Sequence, residues 1–165
     1  MSQHLAVDAE SIAPQYSAPS HQPHLHSLSV AITCPDDIYR LCHRQRGLKQ
    51  EVLRVISLTD QYRVIRSTVV SRGTLGTFVT HPREVYRPAI LAGAEAILLV
   101  HNHPNGDLRP SSADLALTQM LYRAGQILGI RLLDHVIVAS SGYISLATMG
   151  EIPKDSLLSG EAVHR

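Results

Sequence analysis

The stretch from His101 to Asp114 constrains this chain more than any other part of the sequence. It follows an apolar run, Ala96-Ile97-Leu98-Leu99-Val100, which predicts a short buried strand. Side chains two apart on a strand point to the same face, so His101 and His103 can converge on one ion. Turn-forming residues follow as far as Ser111, which opens a predicted helix. The sequence therefore predicts a strand, a loop and a helix that folds back beside the strand.

The first turn of this helix adds two polar side chains to the histidines. Ser111 and Asp114 are three apart, so they share a helical face. Two imidazoles and one carboxylate, with a fourth position left for water, make a catalytic type of zinc site. The same Ser-x-x-Asp pattern is also a capping box that satisfies the free amides of a helix start, and His101 and His103 can simply be polar residues where a strand reaches the surface. We favour the metal site because these residues occur together directly after a buried strand.

The motif and the sequence around it resemble a known family. His-x-His, then ten residues, then Asp, with Ser three before the Asp, resembles the JAMM motif of MPN-domain metalloproteases. Four segments narrow the resemblance to the bacterial RadC branch: His81-Pro82-Arg83-Glu84-Val85, His101-Asn102-His103-Pro104, Pro110-Ser111-Ser112-Ala113-Asp114 and Asp134-His135-Val136-Ile137-Val138. RadC proteins usually have Pro-Ser-Gly after the second histidine, where this chain has Pro104-Asn105-Gly106. That difference does not involve an expected metal ligand.

The resemblance implies both a fold and a reaction. It implies an MPN-type, deaminase-like α-β-α sandwich around a mixed β-sheet. The interleaved helices and strands independently predict a layered α/β domain. It further implies a zinc-dependent hydrolase of the metallopeptidase or isopeptidase type, with Zn²⁺ held by His101, His103 and Asp114. In this scheme Ser111 donates a hydrogen bond to the oxyanion of the reaction.

Hydrolysis also needs a group that moves the proton of the attacking water. MPN proteases use a glutamate on an early strand, and Glu51 is the only carboxylate in the corresponding segment, Gln50-Glu51-Val52-Leu53-Arg54-Val55. By position alone, Glu51 could be an ordinary solvated residue at a strand start; the family resemblance favours the general base. Asp134 and His135 are neighbours on a predicted strand and so point to opposite faces. One of them can support a metal ligand from behind, although packing or a loop hydrogen bond is an equal alternative.

The rest of the chain divides into three segments. We expect a disordered polar tail over residues 1–32, one MPN domain over 33–150 and a C-terminal tail over 151–165. Within the domain we expect a helix from Cys34 that Gly47 ends, a β-hairpin and two further helices. The predicted buried side chains of those two helices are Val85, Ala89 and Ile90, and then Leu117, Met120, Leu121, Ala124 and Leu128.

A non-enzymatic alternative stays open. RadC proteins carry the traditional label of DNA repair proteins, and some MPN domains serve as scaffolds without metal. The net charge of +1 gives no global attraction for nucleic acid, and the chain has one Phe and no Trp for stacking on bases. Only one helix is predicted before Glu51, which resembles short RadC-like proteins that lack the helix-hairpin-helix region. Direct nucleic-acid binding is therefore disfavoured, and the expected partner is a peptide or isopeptide substrate.

Composition also bounds the environment. The two cysteines, Cys34 and Cys42, do not form a Cys-x-x-Cys pair, and no Pro-Cys-x-x-Cys segment of a zinc deaminase is present. Neither a signal peptide nor an apolar stretch of membrane-spanning length is visible. We therefore expect a cytoplasmic protein without a membrane partner, and a homodimer is possible because MPN domains often pair.

Overall fold

The computed structural model describes residues 30–73 and 80–153. Three helices and five strands alternate along them. In chain order the elements are α1 (Pro35–Leu41), β1 (Val52–Leu58), β2 (Val64–Arg72), α2 (Pro82–Leu91), β3 (Ala96–Asn102), α3 (Ser112–Leu128), β4 (Arg131–Ala139) and β5 (Gly142–Ser145).

The strands form one mixed sheet in the order β2-β1-β3-β4-β5. β1 is antiparallel to both β2 and β3, β3 and β4 are parallel, and β5 returns antiparallel to β4. The parallel pair is connected by α3, as parallel neighbours require a crossover. The central strand β3 is buried along its whole length, which explains why its sequence is a continuous apolar run.

Helices cover both faces of the sheet. Ile38 and Cys42, at α1, pack with Leu98 and Val100 of β3 on one face. On the other face, the side chains of α2 and α3 pack with the alternate β3 residues, among them Ile97 and Leu99. The result is the α-β-α sandwich that the sequence predicted. Residues of β3 with odd numbers face α2 and α3, and those with even numbers face α1.

The buried stripes of α2 and α3 differ in part from the prediction. Ile90, Met120 and Leu128 were predicted to be buried, but they are 54%, 37% and 45% exposed. The stripe that α3 turns to the sheet instead includes Thr118 and Gly125. The prediction counted only apolar residues and therefore missed Thr118 and Gly125. A small residue or a hydrogen-bonded side chain can also be buried where a helix packs closely.

The segments that flank the domain also differ in detail from the sequence prediction. α1 ends at Leu41 and is followed by turns, rather than extending to Gly47. Ile32 and Ile152, which the sequence assigned to the two tails, are fully buried in the two hydrophobic clusters. The remaining tail residues, 1–29 and 154–165, lie outside the described residues.

Candidate metal centre

The two histidines of the motif meet at the end of β3, on the face that packs against α3. His101 is completely buried and His103 is partly buried. Their Nε2 atoms are 2.8 Å apart, so both rings turn the same nitrogen towards one point. The spacing of two residues on an extended chain produces this arrangement, as the sequence predicted.

Asp114 approaches the same point from the first turn of α3. Its Oδ1 lies 3.2 Å from Nε2 of His101, and its Oδ2 lies 3.6 Å from Nε2 of His103. One ligand atom from each of the three residues lies within 4.8 Å of the others, so the group could hold a metal ion. The structure thus brings together the three residues that the sequence predicted as ligands.

Ser111 fixes Asp114 through a capping box. The Ser111 amide and hydroxyl donate to Oδ2 of Asp114 at 2.7 and 2.6 Å, and the Asp114 amide donates back to the Ser111 hydroxyl at 3.2 Å. The capping interpretation of this motif is therefore present in the structure. Asp114 caps the helix and also lies beside the histidines, because Oδ2 is bonded to Ser111 while Oδ1 is directed at His101. The catalytic role of Ser111 stays a prediction.

The loop after β3 orients the second histidine. Nδ1 of His103 lies 2.5 Å from the carbonyl oxygen of Asp107, and a carbonyl oxygen only accepts hydrogen bonds. The ring hydrogen of neutral His103 is thus on Nδ1, which leaves the lone pair of Nε2 for the site. Gly106 has a φ of +79° in this loop, a left-handed conformation that glycine adopts without strain.

Burial and neighbouring charges shift the pKa values of all three residues. Burial, followed by the nearby His135, holds the pKa of His101 well below its ordinary value. The adjacent Asp114 carboxylate, which favours the protonated ring, raises the pKa of His103. Burial opposes ionisation of Asp114, but its contacts with His103, His101 and Ser111 together hold its pKa below the usual range. The site therefore presents a carboxylate and, at His101, a neutral imidazole, which are the forms that bind metals.

Glu51 lies opposite the second histidine. Leu53 pairs with His101 across the antiparallel β1–β3 ladder, and extending that register by two residues brings Glu51 beside His103. The Glu51 carboxylate contributes to the raised pKa of His103. Glu51 also lines an open cleft of about 360 Å³ together with Pro104 and Asn105, the residues that follow His103. Glu51 therefore lies near His103, on the wall of a cleft that is also lined by the two residues following His103 in the sequence.

Two buried polar residues of β4, Asp134 and His135, complete the surroundings. His135 contacts the back of the His101 ring, with Nε2 2.8 Å from Nδ1 of His101. Burial lowers the pKa of His135 to about 4, so the ring is neutral near pH 7. Asp134 points elsewhere and accepts hydrogen bonds from Ser145 and Ala147. The two neighbours thus have separate roles, and His135 is the one that supports the predicted ligand His101.

Sequence reasoning missed Asn102, the residue between the two histidines. Its side chain faces away from them and bonds the first residue of β1 and the segment before it. Oδ1 accepts from the Val52 amide at 2.9 Å, and Nδ2 donates to the carbonyls of Gln50 and Leu48 at 3.0 and 3.3 Å. These contacts hold the backbone on both sides of Glu51. The signal in the sequence was the polar residue inside a buried strand, which must find partners.

An α-β-α sandwich with a His-x-His and Asp cluster at the junction of a strand and a helix defines a JAB/MPN type of domain. The family model of the RadC-like JAB domain matches residues 32–151 of this chain. The chain therefore belongs to the RadC-like JAB domain family.

Several proteins similar to this chain carry the name UPF0758 protein. The chain is 41% identical over 122 residues to one from Methanococcoides burtonii, 42% over 115 residues to one from Thermotoga maritima and 40% over 124 residues to one from Clostridium botulinum. These alignments cover 73%, 70% and 74% of this chain, and 53%, 52% and 54% of the relatives. The chain spans about half the length of the curated relatives it matches. None of the described helices is both long and apolar enough to cross a bilayer.

Proposed function

We propose that this domain is a zinc-dependent hydrolase that cleaves a peptide or isopeptide bond. The observation that carries the proposal is the meeting of two imidazole nitrogens and one carboxylate at a single point, beside Glu51 and an open cleft. Residues suited to bind a metal ion and to move a proton thus occur at one site, with room for a substrate.

The donor set fits a bound cation. The Nε2 atoms of His101 and His103 face each other at 2.8 Å, and the lone pair of the His103 nitrogen points into this gap. Such a contact is repulsive between two lone pairs unless a cation or a proton lies between them, and the Asp114 carboxylate adds negative charge there. Two histidine nitrogens and one carboxylate oxygen, with a position left for water, are a ligand set that zinc takes in hydrolases.

When bound by His101, His103 and Asp114, zinc would supply a water of lowered pKa and would polarise a carbonyl group. Glu51 would accept the proton of the attacking water and return it to the leaving amine. This assignment is supported by its position opposite His103 and on the wall of the cleft. Ser111 would donate its hydroxyl hydrogen to the developing oxyanion. For that step the hydroxyl would turn away from Oδ2 of Asp114, which can remain bonded to the Ser111 amide.

The first test is the metal content of the purified protein. We expect about one zinc ion per chain, and we expect His103→Ala to lose it, because only two ligands would remain. If His103→Ala binds zinc as well as the wild type, the ligand assignment is wrong.

The second test separates the metal from the proton transfer. We expect a screen of peptide and isopeptide substrates to find a cleavage that a chelator abolishes. Glu51→Gln should keep the metal and lose about 100-fold or more in turnover. Glu84→Gln is the matched control, because Glu84 is an exposed residue of α2. This variant should cleave the substrate like the wild type. Full activity of Glu51→Gln would remove Glu51 from the mechanism. In a separate DNA titration, tight, salt-dependent binding by a protein that shows no cleavage would favour the repair-associated alternative.

A further inference from the structure

A chain of buried side chains lies behind His101, on the side away from His103. Nδ1 of His101 is 2.8 Å from Nε2 of His135, and Nδ1 of His135 is 2.6 Å from Oγ1 of Thr118. Oγ1 of Thr118 is in turn 2.7 Å from the backbone carbonyl oxygen of Asp114. The three side chains have no exposed surface. This chain of contacts therefore starts at one predicted ligand, Asp114, and ends at another, His101.

The direction of each hydrogen bond follows from the donors that are available. The Asp114 carbonyl only accepts, so the single hydroxyl hydrogen of Thr118 is donated to it. Thr118 must then accept from His135, which places the hydrogen of the neutral His135 ring on Nδ1. The Nε2 of His135 is left with a lone pair and accepts from Nδ1 of His101. As a result, Nε2 of His101 carries a lone pair directed at the site.

The opposite direction leaves one contact unsatisfied. If His135 donated from Nε2 to His101, its Nδ1 would need the hydroxyl hydrogen of Thr118. The two oxygens of Thr118 and Asp114 would then be 2.7 Å apart with no hydrogen between them. An unsatisfied contact between buried polar groups costs about 1–3 kcal/mol. The first direction, with one hydrogen in each of the three contacts, is thus the stable one.

We propose that His135 and Thr118 are positioning residues that hold His101 in the tautomer whose Nε2 can bind a metal ion. The inference rests on the proposed metal site, because a tautomer preference at His101 matters only if Nε2 is a ligand. The fold provides the geometry. β3 and β4 are parallel neighbours that place His101 and His135 on the same face, and Thr118 is one turn after Asp114 on α3. Partners of this kind typically change metal affinity about 10–100-fold.

Two substitutions of Thr118 test this role without changing a ligand. Thr118→Val keeps the branched shape but removes the hydroxyl, so Nδ1 of His135 loses its acceptor. Thr118→Ser keeps the hydroxyl and is the matched control. We expect the affinity for zinc, measured by competition with a chromophoric chelator, to fall about 10–100-fold in Thr118→Val and to stay within about threefold of the wild type in Thr118→Ser. Wild-type affinity in a folded Thr118→Val protein would overturn the proposal.

A second measurement does not depend on metal binding. Long-range ¹H–¹⁵N correlation spectra of the metal-free protein show which ring nitrogen of His135 carries the hydrogen. We expect Nδ1 in the wild type and in Thr118→Ser, and a shift towards Nε2 in Thr118→Val. A hydrogen on Nε2 of His135 in the wild type would overturn the inference, even if the protein binds zinc tightly. Conversely, a wild type with hydrogen on Nδ1 of His135 but no affinity for zinc or cobalt would refute the proposed function and leave the hydrogen-bond direction intact.

Discussion

Replacing Asn102 by alanine should destabilise the domain and displace Glu51 while leaving the metal ligands in place. The Asn102 side chain makes three hydrogen bonds to backbone groups of residues 48, 50 and 52, and it has no exposed surface. Asn102 faces α1, whereas His101 and His103 face α3. The substitution therefore acts on the segment that carries Glu51 and does not act directly on the ligands.

The magnitude follows from the groups that lose a partner. The Val52 residue is 1% exposed, and a buried amide without an acceptor costs about 1–3 kcal/mol. Gln50 and Leu48 are exposed, so water can replace Asn102 at their carbonyls at little cost. The small cavity left by the side chain adds to the loss. We expect the free energy of unfolding of Asn102→Ala to be lower by about 2–4 kcal/mol.

The assay is urea unfolding in excess chelator, so that metal binding does not contribute to the measured stability. Ser57→Ala is the matched control on the same sheet. Ser57 is buried, and its hydroxyl has no hydrogen-bond partner in the part of the chain that the structure describes. We expect Ser57→Ala to change the stability by less than about 0.5 kcal/mol, or to increase it. In Asn102→Ala the Val52 amide should also exchange with solvent faster, while zinc affinity remains near that of the wild type. An unchanged unfolding midpoint of Asn102→Ala would refute the reasoning.

Two further predictions concern the core. Burial raises the pKa of Asp134 to about 6 from the ordinary 3.8, against the hydrogen bonds that it accepts. The unfolded chain therefore releases this proton at lower pH than the folded domain does, so the free energy of unfolding decreases as the pH rises from about 4 to about 6. Asp134→Asn should remove roughly 3 kcal/mol of this pH-dependent decrease, measured by urea unfolding across the same range. A Cβ at Gly125 would lie 2.5 Å from the backbone carbonyl oxygen of Ile130 and 2.5 Å from the Tyr86 hydroxyl, which donates to the Leu121 carbonyl. Gly125→Ala should therefore destabilise the domain by roughly 2–3 kcal/mol despite its better helix propensity. Tyr86→Phe removes only one of the two close contacts, so it should relieve only part of this loss, and a Gly125→Ala domain as stable as the wild type would contradict this cause.

Elements with a strong local signal were predictable from the sequence. The apolar run of β3 and the Ser-x-x-Asp start of α3 predicted the bounds of the two elements to within two residues, because burial and helix capping produce recognisable sequence patterns. The convergence of His101, His103 and Asp114 followed from the same patterns. The buried face of α3 was less predictable, because Gly125 is buried by a close contact with Tyr86 that no local pattern of α3 reveals.

The surroundings of the site depended on contacts between distant segments, and these leave little trace in the sequence. In the sequence, Thr118 looks like an ordinary helix residue. Its role becomes visible only in the structure, where α3 packs beside β4 and the Thr118 hydroxyl contacts His135. Asn102 likewise looks like a spacer between two histidines, and only the pairing of β1 with β3 brings its side chain to the Val52 amide. In both cases a polar residue lies where burial would favour an apolar one, and the cost of burying it is met only by specific partners. The predicted ligands are thus recognisable from their spacing, whereas the residues that hold the ligands and Glu51 in position are recognisable only from the hydrogen bonds that burial requires of them.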